Sequence, residues 1–295
     1  MPDVEIRPFS EEHLDAAAGL LRDRHERHLD AEPLLARDVD YRAQLEAQED
    51  GVVALRDGAV LAYLFGRLTD EDAFVDFGGC AASEPELLRD LYAALAPGWE
   101  RDRHRVYLPA TDTALVDVWF RLAFGLQFTL AVREPEPGSG EGVRLGRPDD
   151  LDAVVAIQRS FTEHLRASPS FSSRQPETDE ELRADWAGTW DDERFTHLVA
   201  ERDGLVAGHA LLFRRTRGDL RVPANSIDLA LVVTRPEARG TGVGSALVAH
   251  ALGLAHEHGF DAVTIDWRVV NLLADRFFRA RGFRPTFYRL YRHVP

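Results

Sequence analysis

Two hydrophobic patterns alternate along the chain, and the same succession opens both of its halves. Residues 4–9 alternate apolar and polar positions, which predicts a short strand, and apolar residues then recur at helical spacing from Leu14 to Leu21. Residues 143–148 and the segment from Leu151 to Phe161 repeat this succession. The patterns predict a strand and then a helix in each half, with one apolar face of each helix packed on a sheet.

Later segments match in the same order and indicate an internal duplication. The string HLDAEP at residues 28–33 is echoed by HLRASP at residues 164–169, and the turn signal RDG occurs at residues 56–58 and again at residues 202–204. Residues 134–142 are rich in proline, glycine and acid, which is the composition of a linker. We therefore predict two domains, residues 1–138 and residues 139–295.

The composition is that of a soluble globular protein, with 45% hydrophobic and 29% charged residues in a chain of 295. No apolar run approaches the ~18 residues of a membrane span, and the first ten residues lack the basic and apolar segments of a secretory leader. Cys80 is the only cysteine, which excludes an internal disulfide, and we expect it to be a buried apolar residue. These features predict a cytoplasmic protein that binds no membrane.

All 35 basic side chains are arginine. Without lysine, the chain cannot form a Walker phosphate loop, a protein-kinase ATP site or a Schiff base. The net charge of −15 argues against nucleic acid as a partner, but it is unevenly divided. Residues 1–138 hold 14 arginines and 28 acids, a balance of −14, whereas residues 139–295 hold 21 and 22, a balance of −1. The second half is therefore the one that can accept an anionic ligand.

A glycine-rich turn between a predicted strand and a predicted helix carries the clearest chemical signal. Gly240, Gly242 and Gly244 would let the backbone approach a ligand, and amides at a helix N-terminus attract an anion such as a pyrophosphate. The same glycines would also suit a tight turn without a ligand. A dinucleotide-binding motif would require a third glycine where Leu247 stands, so that interpretation is weak.

The run Arg239-Gly240-Thr241-Gly242-Val243-Gly244 resembles the acyl-CoA signature of the GNAT acyltransferase superfamily. A strand pattern over residues 262–267, followed by Asn271 and Phe278, resembles a second block of the same family. The resemblance covers roughly residues 143–294, and the first half keeps only the outline. It implies an α/β (α+β) protein of two tandem GNAT folds, each a mixed, mostly antiparallel twisted sheet flanked by helices.

The resemblance also implies acetyl-CoA as acyl donor and no metal. In GNAT proteins the strand before the glycine loop splays from its neighbour, and its backbone holds the pantetheine arm while a backbone N–H, here near Val232, stabilises the oxyanion. The implied cofactor-binding residues are Val232, Val233, Thr234, Arg239, Gly240, Thr241, Gly242, Val243, Gly244, Ser245, Asn271 and Phe278.

Two residues are candidates for proton transfer. Asp228 interrupts an apolar strand at a position where GNAT relatives carry an acidic base, although it could instead pair with a nearby arginine such as Arg214. Phe278 stands where relatives often place a tyrosine that protonates the departing thiolate. A thiol with a pKa near ~8.5 can leave partly as thiolate, so either no dedicated acid is needed or Tyr288 on the last predicted strand is the candidate acid.

The first half lacks the arginine and the glycine loop. Its equivalent turn carries Glu84 and Glu86, which would repel a polyanion, so we expect one acyl-CoA site per chain. Histidines occur as two pairs, at residues 25 and 28 and at residues 256 and 258, without a carboxylate at metal-ligand spacing. We expect all four on the surface.

In this superfamily the acceptor pocket usually forms from the region after the first helix, here residues 164–190, and from the last strands, here residues 283–291. Phe161, Trp186 and Trp190 could supply an apolar wall there. The leading hypothesis is an N-acetyltransferase that acts on a small primary amine. A protein or peptide amine as acceptor and an acyl-CoA-binding sensor without turnover are the alternatives, and the oligomeric state stays open.

Overall fold

The structure, a computed structural model, describes residues 4–48, 50–172, 177–215, 219–223 and 225–295. The chain divides into two compact units. The first contains Met1–Leu130, Asp219–Arg221 and Pro285–Pro295, and the second contains Ala131–Gly218 and Val222–Arg284. The C-terminal residues thus belong to the first unit. The two predicted domains, residues 1–138 and 139–295, remain a prediction, because a compact unit need not be a segment that folds alone.

Helices and strands follow one another in a similar order in the two halves. The first half contains β1 (Glu5–Pro8), α1 (Leu14–Ala31), α2 (Tyr41–Glu46), β2 (Asp50–Arg56), β3 (Ala59–Leu68), β4 (Asp72–Val75), β5 (Cys80–Ala82), α3 (Leu87–Leu95), β6 (Arg103–Pro109), α4 (Thr113–Arg121) and β7 (Gly125–Arg133). The second half contains β8 (Val143–Leu145), α5 (Leu151–Arg166), α6 (Asp179–Trp190), β9 (Phe195–Arg202), β10 (Leu205–Arg214), β11 (Ser226–Thr234), α7 (Val243–Glu257), β12 (Ala262–Arg268), α8 (Leu272–Arg279) and β13 (Arg284–His293).

Both units contain a mixed, mostly antiparallel sheet, which confirms the predicted fold class. In the first unit the strands lie in the order β1-β2-β3-β4-β6-β13, β5 pairs with β3, and only the β4–β6 pair is parallel. In the second unit the order is β12-β11-β10-β9-β8, and only the β11–β12 pair is parallel. The apolar face of α7, which includes Leu247, Val248 and Ala251, packs on the second sheet.

In the first unit, the segment between β4 and β5 is held by the protein's own side chains. The buried guanidinium of Arg24 donates to the carbonyl oxygens of Phe77 and Cys80, and the Tyr63 hydroxyl donates to the Gly78 carbonyl at 2.9 Å. The turn equivalent to the glycine loop follows β5, where Glu84 pairs with Arg56. Cys80 is fully buried, as predicted.

The predicted surface position is right for one histidine pair and wrong for the other. His256 and His258 are exposed near the end of α7, but His25 and His28 on α1 are both 2% exposed. The His28 ring packs against Phe287 of β13 with ring centroids 4.9 Å apart. Helical spacing does not reveal this burial, because the covering residue comes from the far end of the chain.

Among the described residues, no helix combines the length and apolarity of a membrane span.

The buried His28 predicts a pH-dependent stability. Burial lowers the pKa of His28 from 6.5 to about 3, so the unfolded chain takes up a proton that the folded chain does not. The free energy of unfolding should therefore fall as the pH drops below 6.5, and His28 should account for about 3 kcal/mol of that loss by pH 4.5. We expect His28→Leu to flatten the dependence, measured by urea denaturation at pH 7 and 4.5. The exposed variant His256→Leu is the control, and an unchanged slope in His28→Leu would contradict the assignment.

Candidate functional site

A cleft opens in the second unit where two parallel strands separate. β11 pairs with β12 only from Ser226 opposite Ala262 to Asp228 opposite Thr264, although β11 continues to Thr234. Its other edge stays paired with β10 along almost its whole length. One edge of residues 229–234 is therefore left without a β12 partner in the ladder, and this edge forms a wall of the cleft.

The backbone of this wall points its hydrogen-bonding groups into the cleft at alternate residues. The Arg235 N–H donates to the Ala207 carbonyl at 2.9 Å, so Arg235 faces β10. Because successive strand residues direct their N–H and C=O groups to opposite edges, Val233 also faces β10, while Val232 and Thr234 face away from it. The Val232 N–H, predicted as the oxyanion donor, thus lies on the edge that β12 leaves open.

A β-bulge in β11 lies next to this wall. Leu211 of β10 pairs with Leu231, but the next residue, Leu212, pairs with Leu229, which leaves Ala230 as an extra residue. A bulge bends its strand and changes the direction of nearby side chains. Ala230 therefore marks the point where β11 turns from its paired segment toward the cleft.

The cleft has a volume of about 430 Å³ and ends at the N-terminus of α7. Gly240 and Gly242 have φ values of +75° and +95°, a conformation that other residues rarely adopt, and Gly242 is the N-cap of α7. The first amides of the helix have no intrahelical acceptor, so they present donors and the positive helix end to a ligand. The turn has the geometry of an anion site.

Most of the predicted cofactor residues meet around this cleft. Those that line it are Val232, Val233, Thr234, Arg239, Gly240, Gly242, Gly244, Ser245, Asn271 and Phe278. Thr241 instead donates its hydroxyl to the Ala238 carbonyl at 2.7 Å, and Val243 is buried in the core of the unit. That these residues bind the acyl donor remains a prediction.

Arg281 is a second cation of the cleft that sequence reasoning missed. Its guanidinium lies 3.5 Å above the Phe277 ring, donates to the Phe277 carbonyl at 3.0 Å and donates to the Ser245 hydroxyl. Burial lowers the pKa of Arg281, although an arginine stays protonated at neutral pH. Among the described side chains, no carboxylate pairs with Arg281 or with Arg239. In the sequence, Arg281 looks like any basic residue after a helix.

His164 was also missed as a lining residue. The Asn271 carboxamide oxygen caps α8 by accepting from the Ala274 N–H at 3.4 Å, and it lies 3.2 Å from Nε2 of His164. Since that oxygen only accepts, His164 must carry its proton on Nε2, which leaves a lone pair on Nδ1. His164 is therefore a possible proton acceptor in the cleft. Asn271 has the capping role that sequence reasoning considered for it.

The two predicted catalytic residues lie elsewhere. Asp228 occupies the last paired position of β11, where its carboxylate accepts from the Thr264 hydroxyl at 2.8 Å and from Arg215 at 3.1 Å, and it does not line the described cleft. Its ion pair is with Arg215 and not with Arg214. Tyr288 belongs to the first unit and packs against the core of that unit.

A smaller cavity of about 240 Å³ lies on the other side of Phe161, which lines both spaces. Its lining includes Gln158, Leu165, Trp186, Leu211, Ala230 and Leu231. Trp186, which was predicted for the acceptor pocket, lines this cavity. Trp190 instead stacks on the His197 ring, with ring centroids 3.5 Å apart.

Within the described ranges, no three His, Cys, Asp or Glu side chains form a group that could hold a metal ion.

Comparison with known proteins places this cleft in a family. Residues 159–283 match the acetyltransferase (GNAT) family. Over 299 aligned residues the chain is 26% identical to the mycothiol acetyltransferase of Clavibacter sepedonicus, covering 87% of this chain and 91% of that protein. The segment that matches the GNAT family contains every residue that lines the cleft, and acetyl-CoA is the acyl donor of that family. The match and the acetyltransferase relative indicate an acyltransferase.

Two solved structures are similar to this chain over its whole length. A GCN5-related N-acetyltransferase from Sphaerobacter thermophilus has a TM-score of 0.61 at 17% identity, over 100% of this chain and 98% of the other. A tandem GNAT protein from the clavulanic acid biosynthesis pathway has a TM-score of 0.51 at 18% identity, over 99% of both chains. At such low identity the likeness concerns the fold, and it confirms the predicted tandem GNAT architecture.

Arg281 has no carboxylate partner among the described residues, so its positive charge is predicted to contribute to donor binding. Arg281→Gln keeps a polar side chain but removes the charge, so we expect affinity for coenzyme A to fall about tenfold, as for a lost hydrogen bond to a charged group. Isothermal titration calorimetry measures this change. Arg276→Gln, an exposed arginine on α8 that does not line the cleft, is the matched control. Equal affinities of the Arg281→Gln and parent proteins would remove Arg281 from the site.

Proposed function

We propose that the protein is an acetyl-CoA-dependent N-acetyltransferase that transfers the acetyl group to a primary amine of a small molecule. The observation that carries this proposal is the pair of neighbouring spaces that share Phe161 as a lining residue, the smaller of which is also lined by Ala230 of the β11 bulge. The larger space has the anion-binding end that a coenzyme requires. The smaller, at about 240 Å³, is below the ~300 Å³ at which pockets for drug-sized ligands begin, which favours a compact acceptor.

The larger cleft suits each part of acetyl-CoA. The pyrophosphate would accept from the first amides of α7, with Arg239 and Arg281 supplying positive charge. The pantetheine arm would follow the open edge of β11, where the outward-facing groups of Val232 and Thr234 can bond its amides. This arrangement would bring the thioester toward the bulge and the smaller cavity.

The transfer needs no covalent enzyme intermediate. The amine nitrogen attacks the thioester carbon, the carbonyl oxygen becomes an oxyanion, and the Val232 N–H stabilises that charge by ~3 kcal/mol. The carbon–sulfur bond then breaks, and the sulfur leaves as a thiolate or takes a proton. Phe278 stands in place of a tyrosine, and since a thiol has a pKa near ~8.5 the sulfur can leave partly as thiolate without a dedicated acid.

The attacking amine must lose a proton, and we propose Asp228 as the group that accepts it. Asp228 lies where β11 and β12 separate, with its carboxylate held by Thr264 and Arg215. This position is close in sequence to the wall of the cleft, but it requires a water or an amine to reach the carboxylate. His164 is the competing base, because its Nδ1 lone pair belongs to a residue that lines the cleft.

The name of the Clavibacter sepedonicus relative connects acetyl transfer with mycothiol, and this supports a small-molecule acceptor. It does not define the acceptor of this chain at 26% identity. No nucleic acid or membrane is part of the proposed reaction, and the cytoplasmic location stays a prediction.

Turnover on small amines tests the proposal. We expect thiol release from acetyl-CoA in the presence of at least one member of a panel of small primary amines, followed with a thiol-reactive chromophore. Gly242→Glu should abolish release, because it places a carboxylate and a side chain at the anion-binding turn. Acetylation of peptide amines alone would redirect the proposal to a protein acceptor, and donor binding without turnover on any amine would identify a sensor.

The choice between the two bases is testable by pH dependence. Asp228→Asn should lower kcat at neutral pH about 100-fold and move activity to more alkaline pH, because the amine must then lose its proton to solvent. His164→Gln, which keeps a hydrogen-bond donor for Asn271, should leave the pH profile unchanged. Profiles of kcat from pH 6 to 10 decide between them. A shifted profile in His164→Gln together with an unchanged profile in Asp228→Asn would assign the base to His164. Thermal unfolding of both variants reports whether the fold is intact.

A further inference from the structure

Four polar side chains form one continuous hydrogen-bonded row inside the second unit. Thr189 Oγ1 lies 3.0 Å from His197 Nε2, His197 Nδ1 lies 3.1 Å from His209 Nε2, and His209 Nδ1 lies 3.4 Å from Gln158 Nε2. His209 is fully buried, and His197 and Gln158 are nearly so. The row joins α6, β9, β10 and α5, and it ends at a residue that lines the smaller cavity.

Both imidazoles of the row are neutral at physiological pH. Burial lowers the pKa of His197 to about 4 and that of His209 to about 3. Trp190 stacks on His197, and Trp186 meets His209 edge-on at 5.2 Å, so aromatic rings replace water around the pair. A neutral imidazole has one nitrogen that donates and one that accepts. A neutral histidine that donates from one ring nitrogen must therefore accept at the other, so all hydrogen bonds of the row run in the same direction.

The direction is set at the Thr189 end. The Thr189 hydroxyl donates to the Trp186 carbonyl at 2.6 Å, so its oxygen can only accept from His197. His197 must then carry its proton on Nε2 and accept at Nδ1. His209 in turn must carry its proton on Nε2 and accept at Nδ1.

This order determines which way the Gln158 carboxamide faces. An accepting Nδ1 on His209 requires the Gln158 NH₂ group as its donor. The Gln158 carbonyl oxygen is then directed away from His209, and among the described residues it has no other hydrogen-bond partner. A residue that lines the cavity thus has its acceptor atom left for a ligand.

We propose that the Gln158 carbonyl oxygen binds the N–H of the acceptor amine, and that Thr189, His197 and His209 are positioning residues that hold the carboxamide in this orientation. The inference rests on the proposed function, since it assigns a recognition role within the acceptor cavity. The ligand class is a compact molecule with a hydrogen-bond donor on the amine that is acetylated. A molecule with only hydrogen-bond acceptors at that position would form no hydrogen bond to the Gln158 oxygen and would be repelled by it.

The order of donors and acceptors is testable without turnover. Long-range ¹H–¹⁵N spectra of the imidazoles should show the Nε2–H tautomer for both His197 and His209 in the parent protein. Thr189→Ser retains the hydroxyl and should keep both tautomers. Thr189→Val has nearly the same shape but no acceptor, so at least one tautomer should change. An Nδ1–H tautomer at either histidine of the parent protein would overturn the proposal.

Kinetics test the consequence for the acceptor. Gln158→Met, which keeps the length of the side chain but removes both polar atoms, should raise KM for the amine about tenfold and leave KM for acetyl-CoA unchanged. Thr189→Val should raise KM for the amine in the same direction, and Thr189→Ser should not. An unchanged KM for the amine in Gln158→Met, with turnover intact, overturns this inference alone. Absence of turnover on every amine, with acetyl-CoA still bound, overturns the proposed function and this inference with it.

Discussion

The short pairing between β11 and β12 is the constraint on which the site depends. Parallel strands that stay paired would satisfy each other's backbone groups, and nothing would remain for a ligand. Here the ladder ends at Asp228 and Thr264, while pairing with β10 continues and keeps β11 rigid. The exposed edge is therefore a backbone site on a fixed strand. Its binding groups do not depend on side-chain identity, which is why apolar residues such as Val232 and Val233 can line it.

The two units treat the same strand-to-helix turn in opposite ways. In the second unit the turn before α7 leaves amides unsatisfied and brings Arg239 and Arg281 beside them. In the first unit the turn before α3 carries two carboxylates, Glu84 paired with Arg56 and Glu86 paired with Arg121. The charge balances of −14 and −1 belong to residues 1–138 and 139–295, which contain the first and the second of these turns. The turn at the same place in the succession of elements thus carries carboxylates in the first unit and has anion-binding geometry in the second.

Sequence reasoning worked best where one residue type meets a local requirement. Gly240 and Gly242 could be recognised because the turn needs positive φ. The alternating pattern of strands and the helical spacing of apolar residues predicted the elements around them. It worked least well for contacts between residues far apart in the chain. The burial of His28 depends on Phe287, and the carboxamide of Gln158 depends on His209, which is fifty-one positions away. A single sequence carries no signal for such pairs, because each member alone looks like an ordinary polar residue on a helix or strand.

The all-arginine composition has a consequence for an enzyme that handles an activated acetyl group. A lysine ε-amine near a bound thioester is itself an acceptor, so many proteins that bind acetyl-CoA risk modifying themselves. A guanidinium keeps its proton at any physiological pH and is a poor nucleophile. Arg239 and Arg281 therefore place positive charge in the cleft without adding an amine that competes for an acetyl group. No side chain of this protein offers an ε-amine, so none of its cationic side chains is an alternative amine acceptor.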